Sequence, residues 1–286
     1  MSEVLPEGLC PVASFLVNDQ VCAVYAATLS PCKNNEFPWR KIVEDLLAGQ
    51  GLVAAAAALG RGRIFFLDAE PLSLPLVVRQ YRHGGLWRFL TGGRFFSKRR
   101  FLNELAVHQA VSTLGIATPA ALAVIVVKKR ASLFVNGYYV TRRLSAVVEL
   151  PEFLRGANAS IRLQVAFKLG GYLRKLHEHG IFYTDMHVKN ILVGAEGQIF
   201  LLDFDKADQS GAPLAARRCR ANLCRFFRSV DKYCSRGGKF TDTERAAFLL
   251  AYEPDAAAYA RLRRELTVAF FWRRIFHQFG WWLNRS

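Results

Sequence analysis

Residues 160–205 constrain this chain more than any other stretch. Ile161, Val165, Leu169, Leu173 and Leu176 recur at the spacing of one helix face, opened by Ser160 and closed by Gly180. That helix leads to Tyr183-Thr184-Asp185-Met186-His187-Val188-Lys189-Asn190, which reads as a loop. Two short apolar runs follow, Ile191-Leu192-Val193 and Ile199-Phe200-Leu201-Leu202, joined by Gly194-Ala195-Glu196-Gly197-Gln198, and they read as a hairpin. The loop bearing Asp185 and Asn190 enters this hairpin, and Asp203-Phe204-Asp205 leaves it.

A single Asp at such a place is ordinary, because Asp and Asn favour turns by bonding their own backbone. The order of groups says more. Asp185 and Asn190 stand five residues apart, as in the kinase catalytic loop HRDxxxxN, and Asp203 takes the place of the DFG aspartate. Phosphoryl transfer needs one carboxylate to orient the attacking hydroxyl and accept its proton. It also needs an amide and a second carboxylate to hold Mg2+ on the nucleotide phosphates. Asp185 is therefore the expected catalytic residue and Asn190 and Asp203 the expected metal ligands, with ATP and Mg2+ as cofactors.

Upstream, the sequence reads as the β-rich half of such an enzyme. A strand ends in Leu59-Gly60-Arg61-Gly62-Arg63, a return strand covers Ile64 to Leu67, and a third covers Leu76 to Arg79. Glycines between two strands let backbone amides approach phosphate oxygens, which makes Gly60 and Gly62 candidate nucleotide contacts; an ordinary hairpin turn has the same signature. Arg79 stands where VAIK-type strands carry the phosphate-binding lysine, and an edge-strand arginine is the bland alternative. The helix from Arg99 to Leu114 places Glu104 as its ion-pair partner. Strands Val124 to Val127 and Tyr138 to Thr141 follow, and Arg143 to Glu149 reads as a hinge against which adenine packs. Lys189, beside Asn190, is placed to contact the γ-phosphate.

With 286 residues and 52% apolar content the chain can bury a sizeable core. Its 39 basic against 23 acidic side chains leave a formal +16, a field that favours polyanions: an anionic membrane surface, a phosphorylated lipid or nucleic acid. The longest apolar runs, Leu52 to Leu59 and Ala120 to Val127, fall far below the ~20 residues a membrane-spanning helix needs, so any membrane association is expected to be peripheral. The six cysteines lack CxxC pairing or zinc-type spacing and read as free thiols in a reducing cytoplasm. The N-terminus does not resemble a secretory signal.

Taken with further segments, these residues resemble the bacterial 3-deoxy-D-manno-octulosonic acid (Kdo) kinases of the lipopolysaccharide kinase (Kdo/WaaP) family, from about Gly60 to Tyr252. The segments are Val78-Arg79-Gln80-Tyr81-Arg82-His83-Gly84-Gly85-Leu86-Trp87, Gly115-Ile116-Ala117-Thr118-Pro119, Leu173-Arg174-Lys175-Leu176-His177, Thr184-Asp185, Asn190-Ile191-Leu192 and Leu202-Asp203-Phe204-Asp205-Lys206. Arginine in place of the strand lysine and DFD in place of DFG also resemble this family rather than protein kinases. One departure is Asp-Met-His-Val-Lys-Asn where the family typically has Asp-Leu-Asn-Ala-His-Asn, so that Lys189 replaces a histidine.

The resemblance implies an α+β, two-lobed protein-kinase-like fold with a small β-rich N-lobe and a larger helical C-lobe. The expected divisions are an extension of unclear role over 1–50, an N-lobe over 51–148 and a C-lobe over 149–286. It implies ATP-dependent phosphorylation of a Kdo hydroxyl, the 4-hydroxyl in the typical member, on Kdo-lipid A. The partners are that anionic glycolipid and the cytoplasmic side of the inner membrane, with no specific nucleic acid. Arg82, His83 and Arg88 are candidate acceptor contacts, joined by Arg94, Lys98, Arg99 and Arg100; a solvated basic face is the competing reading. Residues 214–230 alternate arginines with Leu223, Phe226, Phe227 and Val230, which suits a helix on an anionic membrane or an ordinary helix with a basic exposed face. Phe270 to Phe276 and Trp281 to Leu283 carry the same ambiguity between interfacial anchor and core. A heptose kinase, another small-molecule or protein kinase, an inactive nucleotide-binding regulator and a basic nucleic-acid-binding protein are the alternatives. The intact Asp185, Asn190 and Asp203 speak against the last two.

Overall fold

The computed structural model describes residues 5–27, 37–49, 53–54, 64–69, 74–82 and 93–268. The chain divides into two compact units, Met1–Ser145 and Ala146–Ser286.

The first unit is built on an antiparallel seven-stranded sheet. In chain order its strands are β1 (Leu9–Val17), β2 (Gln20–Ala27), β3 (Val53–Ala54), β4 (Ile64–Ala69), β5 (Leu74–Gln80), β6 (Ala121–Lys129) and β7 (Asn136–Arg142). They lie side by side as β1-β2-β6-β7-β5-β4-β3. Helix α1 (Trp39–Ala48) buries Trp39, Ile42, Val43 and Leu46 in one core cluster with Leu76, Val78, Ala123, Ile125 and Val127. Helix α2 (Arg99–Thr113) buries Phe101, Leu102 and Leu105 in a second cluster with Tyr81, Val124, Val126 and Tyr139. Residues 123, 125 and 127 of β6 thus join one cluster and 124 and 126 the other. A strand covered on both faces reads as an unbroken apolar run, which is why Ala120 to Val127 shows no alternation.

Residues 1–50, expected as an extension, supply β1, β2 and α1 to this unit. β2 pairs with β6 across six residue pairs, from Gln20 opposite Lys129 to Tyr25 opposite Val124. Nothing local in the sequence hints at that pairing, because the two strands are about a hundred residues apart and register is set by tertiary packing. The same alternation fixes β5: with Leu76 and Val78 buried beside α1, Arg79 faces the α2 side of the sheet.

The second unit is mainly helical: α3 (Leu150–Gly156), α4 (Ala159–Glu178), α5 (Ala216–Cys234) and α6 (Asp242–Tyr252). It begins ahead of β8 (Val147–Glu149) because that strand pairs with β10 (Ile191–Gly194), which pairs in turn with β11 (Ile199–Leu201). A second small ladder joins β9 (Ile181–Phe182) to β12 (Asp208–Gln209). α4 starts one residue earlier than Ser160 because Asn158 caps it, its Oδ1 accepting from Ile161 N at 3.0 Å. A Cβ at Gly170 of α4 falls 2.0 Å from the Phe248 carbonyl oxygen, so only glycine admits the approach of α6 there. The apolar face of α5, Leu223, Phe226, Phe227 and Val230, is buried, with Phe226 stacked 4.8 Å from Phe248. Of the two readings of this helix, the packed face with an exposed basic side is the one realised.

A candidate active site in the helical unit and a locked cation in the sheet

The loop bearing Asp185 and Asn190 lies between β9 and β10. Gly180, at φ +72°, turns the chain out of α4, and a Cβ there falls 2.3 Å from the Ser210 carbonyl oxygen. β9 pairs Phe182 with Asp208, so the segments before Asp185 and after Asp203 are held in one ladder. The hairpin does the rest. Ile191 pairs with Leu201, and Leu202 N donates to Asn190 O at 2.9 Å, which puts Asn190 and Asp203 at the same hairpin end. Asn190 Nδ2 donates to the Asp185 carbonyl at 3.0 Å, and the Tyr183 hydroxyl donates to the Leu202 carbonyl. Asp185, Asn190 and Asp203, eighteen residues apart in sequence from first to last, are gathered by these bonds.

The donor set fits Mg2+. Donation by Nδ2 fixes the Asn190 amide with its Oδ1 as the outward end, a neutral hard oxygen near a carboxylate. Asp203 holds φ +58°, an uncommon conformation for a residue with a Cβ, and its Oδ1 also accepts from Asp205 N at 3.4 Å. Strained backbone of this kind gathers at functional sites. No cluster of three His, Cys, Asp or Glu exists among the described residues. Mg2+ does not ask for one, since it is usually held by one or two protein groups together with water and phosphate oxygens.

A buried network carries the loop from below. Asn222 of α5, fully buried, donates through Nδ2 to the Tyr183 carbonyl at 2.7 Å. With its amide nitrogen so engaged, Asn222 Oδ1 accepts from His177 Nε2 at 3.1 Å, and His177 Nδ1 accepts from the Tyr252 hydroxyl at 2.8 Å. Burial lowers the His177 pKa to about 4, so the ring is neutral at physiological pH and each contact has a defined donor.

Asp185 itself is half-exposed and flanked by cationic or donor groups. Arg225 Nη2, from α5, lies 3.3 Å from Oδ1, and His187 Nε2 lies 3.7 Å from Oδ2. Lys189 is exposed, and its backbone N–H donates to His187 Nδ1 at 3.2 Å.

In the sheet unit, Arg79 and Glu104 form an ion pair, and Glu104 also accepts from the Tyr81 hydroxyl. Glu104 is only 1% exposed and Arg79 23%. The guanidinium sits 4.9 Å from the Tyr81 ring centroid and 5.6 Å from that of Tyr139, a cation–π enclosure that fixes its place. Arg82, the next cation along, keeps its Nε buried with no hydrogen bond among the described residues. Lys98 instead donates to the Tyr25 hydroxyl at 2.7 Å, and Arg100 lies over the Phe95 ring, so these two side chains are engaged within their own unit. Gly60, Gly62, His83, Arg88 and the aromatic stretch from Phe270 to Leu283 lie outside the described residues.

With this geometry in place, comparison with known proteins is decisive. The model of the Lipopolysaccharide kinase (Kdo/WaaP) family matches residues 50–252. The chain belongs to this family. Its fold is accordingly the protein-kinase-like one, here a sheet-rich unit followed by a helical unit. Relatives include a 3-deoxy-D-manno-octulosonic acid kinase of Photobacterium profundum, 29% identical over 213 residues that cover 72% of this chain and 86% of the relative. An enzyme of the same name from Vibrio vulnificus is 28% identical over 203 residues, covering 69% and 82%. Another, from Haemophilus influenzae, is 27% identical over 205 residues, covering 68% and 83%. Membership makes the chain a phosphotransferase of the kinase type.

Sequence reasoning missed Arg225 as a site residue, and it missed Asn222 and the Tyr81 contact to Glu104. Arg225 was legible only as one of several helix arginines, and nothing in its spacing ties it to a carboxylate 40 residues earlier.

Proposed function

We propose that this protein transfers the γ-phosphoryl group of ATP to a hydroxyl of Kdo, the 4-hydroxyl, on a Kdo-lipid A acceptor. The carrying observation is the assembly of Asp185, Asn190 and Asp203 around one hairpin end in a member of this family. Mg2+–ATP bound there supplies the transferable phosphoryl group and neutralises the charge that develops during transfer. Asp185 orients the acceptor hydroxyl and accepts its proton. Asn190 Oδ1 and the Asp203 carboxylate are the metal ligands, Arg79 is the phosphate-binding cation held by Glu104, and Lys189 reaches the γ-phosphate. Gly60 and Gly62 contribute backbone amides to the nucleotide, and Arg82, His83 and Arg88 meet the acceptor.

The glycolipid resides in a membrane, and no helix among the described residues is long and apolar enough to cross one. The net charge of +16 supports reversible docking on an anionic cytoplasmic face of the inner membrane, where each nearby basic residue contributes about 1 kcal/mol at low screening. Sedimentation with anionic and neutral liposomes tests this: binding to anionic vesicles only, released by salt, is expected, and equal binding to both defeats it. For the reaction, purified protein is incubated with MgATP and Kdo-lipid A, and mass spectrometry reads one added phosphate, placed on the sugar by fragmentation. A parallel acceptor bearing heptose tests the rival assignment. Phosphate appearing only on heptose, or on neither acceptor, overturns the proposal.

A further inference from the structure

Helix α5 is rich in arginine, and several of these side chains are engaged away from the proposed site. Arg218 Nη2 lies 2.6 and 2.8 Å from the two oxygens of Asp208, Arg220 Nη1 lies 2.8 Å from Glu265, and Arg228 Nε donates to the Cys224 carbonyl at 3.1 Å. Arg225 differs. Its one contact among the described residues is Nη2 to Asp185 Oδ1 at 3.3 Å, it is 46% exposed, and the remaining N–H groups of its planar fork are unused. The group it touches is the proposed catalytic base. A guanidinium resting on that oxygen occupies part of its accepting capacity, so an acceptor hydroxyl meets a less encumbered base once Arg225 exchanges partner. A carboxylate close to the reacting hydroxyl is the partner that a guanidinium fork fits best.

The proposed acceptor supplies one. An octulosonic acid carries its carboxylate on the anomeric carbon, and removal of the 3-hydroxyl leaves the 4-hydroxyl separated from that carbon by two ring bonds. On the second side of Asp185, His187 Nδ1 accepts from Lys189 N, which leaves Nε2 as the hydrogen-bearing nitrogen, 3.7 Å from Oδ2. Donors therefore flank both oxygens of the base. We infer that Arg225 is the residue that recognises the acceptor's carboxylate, leaving Asp185 for it when the sugar acid binds and so selecting sugar acids over neutral sugars. This inference rests on the acceptor class proposed above.

The test pairs two acceptors with two variants. Kdo-lipid A and its Kdo carboxamide are phosphorylated by wild type, Arg225→Gln and Arg225→Lys, and a separate arm measures nucleotide-free binding of Kdo-lipid A against lipid A lacking Kdo. Arg225→Gln is expected to raise the KM for Kdo-lipid A by about 10- to 100-fold, the worth of a charged hydrogen bond, while the KM for MgATP stays within about twofold. Arg225→Lys recovers part of the loss. The carboxamide is penalised by a similar factor in wild type but not further in Arg225→Gln, because each change removes the same contact. Additive penalties, or a shift in the MgATP KM instead, overturn the inference while leaving the kinase assignment in place. The binding arm separates the converse case: wild type that binds Kdo-lipid A through Arg225 but never phosphorylates it sinks the proposed reaction and keeps the carboxylate contact.

Discussion

Each unit contains an arginine bonded to a carboxylate of the proposed site, and the two pairs are built in opposite ways. In the sheet unit Glu104 is 1% exposed, accepts from both Arg79 and Tyr81, and Arg79 lies against the rings of Tyr81 and Tyr139. In the helical unit Asp185 and Arg225 are 36% and 46% exposed and meet through one bond of 3.3 Å. Burying an ion pair carries a large desolvation penalty, which is offset only when further bonds satisfy both partners. A pair so built has one geometry and keeps it. An exposed pair contributes about 0–1 kcal/mol and is readily exchanged. The first design suits the phosphate-binding role proposed for Arg79, and the second suits the proposed base, whose partner is readily exchanged for an acceptor.

The largest expected effect separates chemistry from stability in the exposed pair. Asp185→Asn should lower turnover ~10²- to 10⁴-fold, the usual cost of losing a general base. Its unfolding free energy should stay within about 1 kcal/mol of wild type, as for any exposed pair. Steady-state phosphorylation and denaturant titration of the same preparation read both quantities. A variant that turns over near the wild-type rate removes Asp185 from its role, and one that is strongly destabilised contradicts the loose character of the pair.

The buried pair should behave the other way. Glu104→Ala leaves Arg79 without its buried partner and should cost about 3–5 kcal/mol of stability as well as activity, because breaking a buried pair strands a charge. Arg79→Ala and the double variant complete a cycle whose coupling should be large, since both single changes destroy one contact. Additive losses in that cycle would show that the two side chains act independently. Within the helical unit, Arg162 and Glu244 give a structural reference. They pair at 2.7 Å and 3.0 Å, with Glu244 Oε2 also accepting from the Thr241 N–H at 2.8 Å, and they lie in no part of the proposed chemistry. Arg162→Ala should therefore lower stability and leave the KM values of the remaining folded enzyme unchanged.

These contrasts mark where the sequence was readable. Asp185, Asn190 and Asp203 declare themselves because a helix, a loop and a hairpin set their spacing locally, and Arg79 and Glu104 because strand alternation and helix order aim them at one another. Arg225 does not, since a helix arginine has the same local signature whether it faces water, a membrane or a carboxylate. In the first 50 residues a strand region from Phe15 to Thr28 and a helix near Trp39 to Leu47 are legible, and β2 and α1 occupy them, yet the place of these elements is not, because their partner β6 begins at Ala121 and no local signal names it. The strand expected to end at Leu59 is described only as Val53–Ala54, and the glycines after it fall outside the described residues.

A smaller effect, spread over a pH range, compares the interiors of the two units directly, because each buries one histidine. His108 of α2 meets the Tyr139 hydroxyl at 2.7 Å in the sheet unit, and His177 sits between Tyr252 and Asn222 in the helical unit. Burial lowers both pKa values from 6.5 to about 4. The folded state then binds fewer protons than the unfolded chain between these values. Stability is full above about pH 6.5, falls as the pH drops toward 4, and loses nothing more from these groups below that. By pH 5 the loss is roughly 2 kcal/mol per histidine, in a range where ordinary carboxylates are still mostly ionised. His108→Gln and His177→Gln should each cancel its own share of the decline between pH 7 and pH 5 in denaturant titrations. The two should then part company in activity. Protonating His177 places a proton on Nδ1, the nitrogen that accepts from Tyr252, and so disturbs the buried network through which Asn222 holds the Tyr183 carbonyl two residues before Asp185; turnover should therefore decline with acid alongside stability in wild type and lose that component in His177→Gln. His108 bonds the Tyr139 hydroxyl, whose ring lies against Arg79, so an acid decline in turnover that responded to His108→Gln and not to His177→Gln would place the sensitive element in the sheet unit.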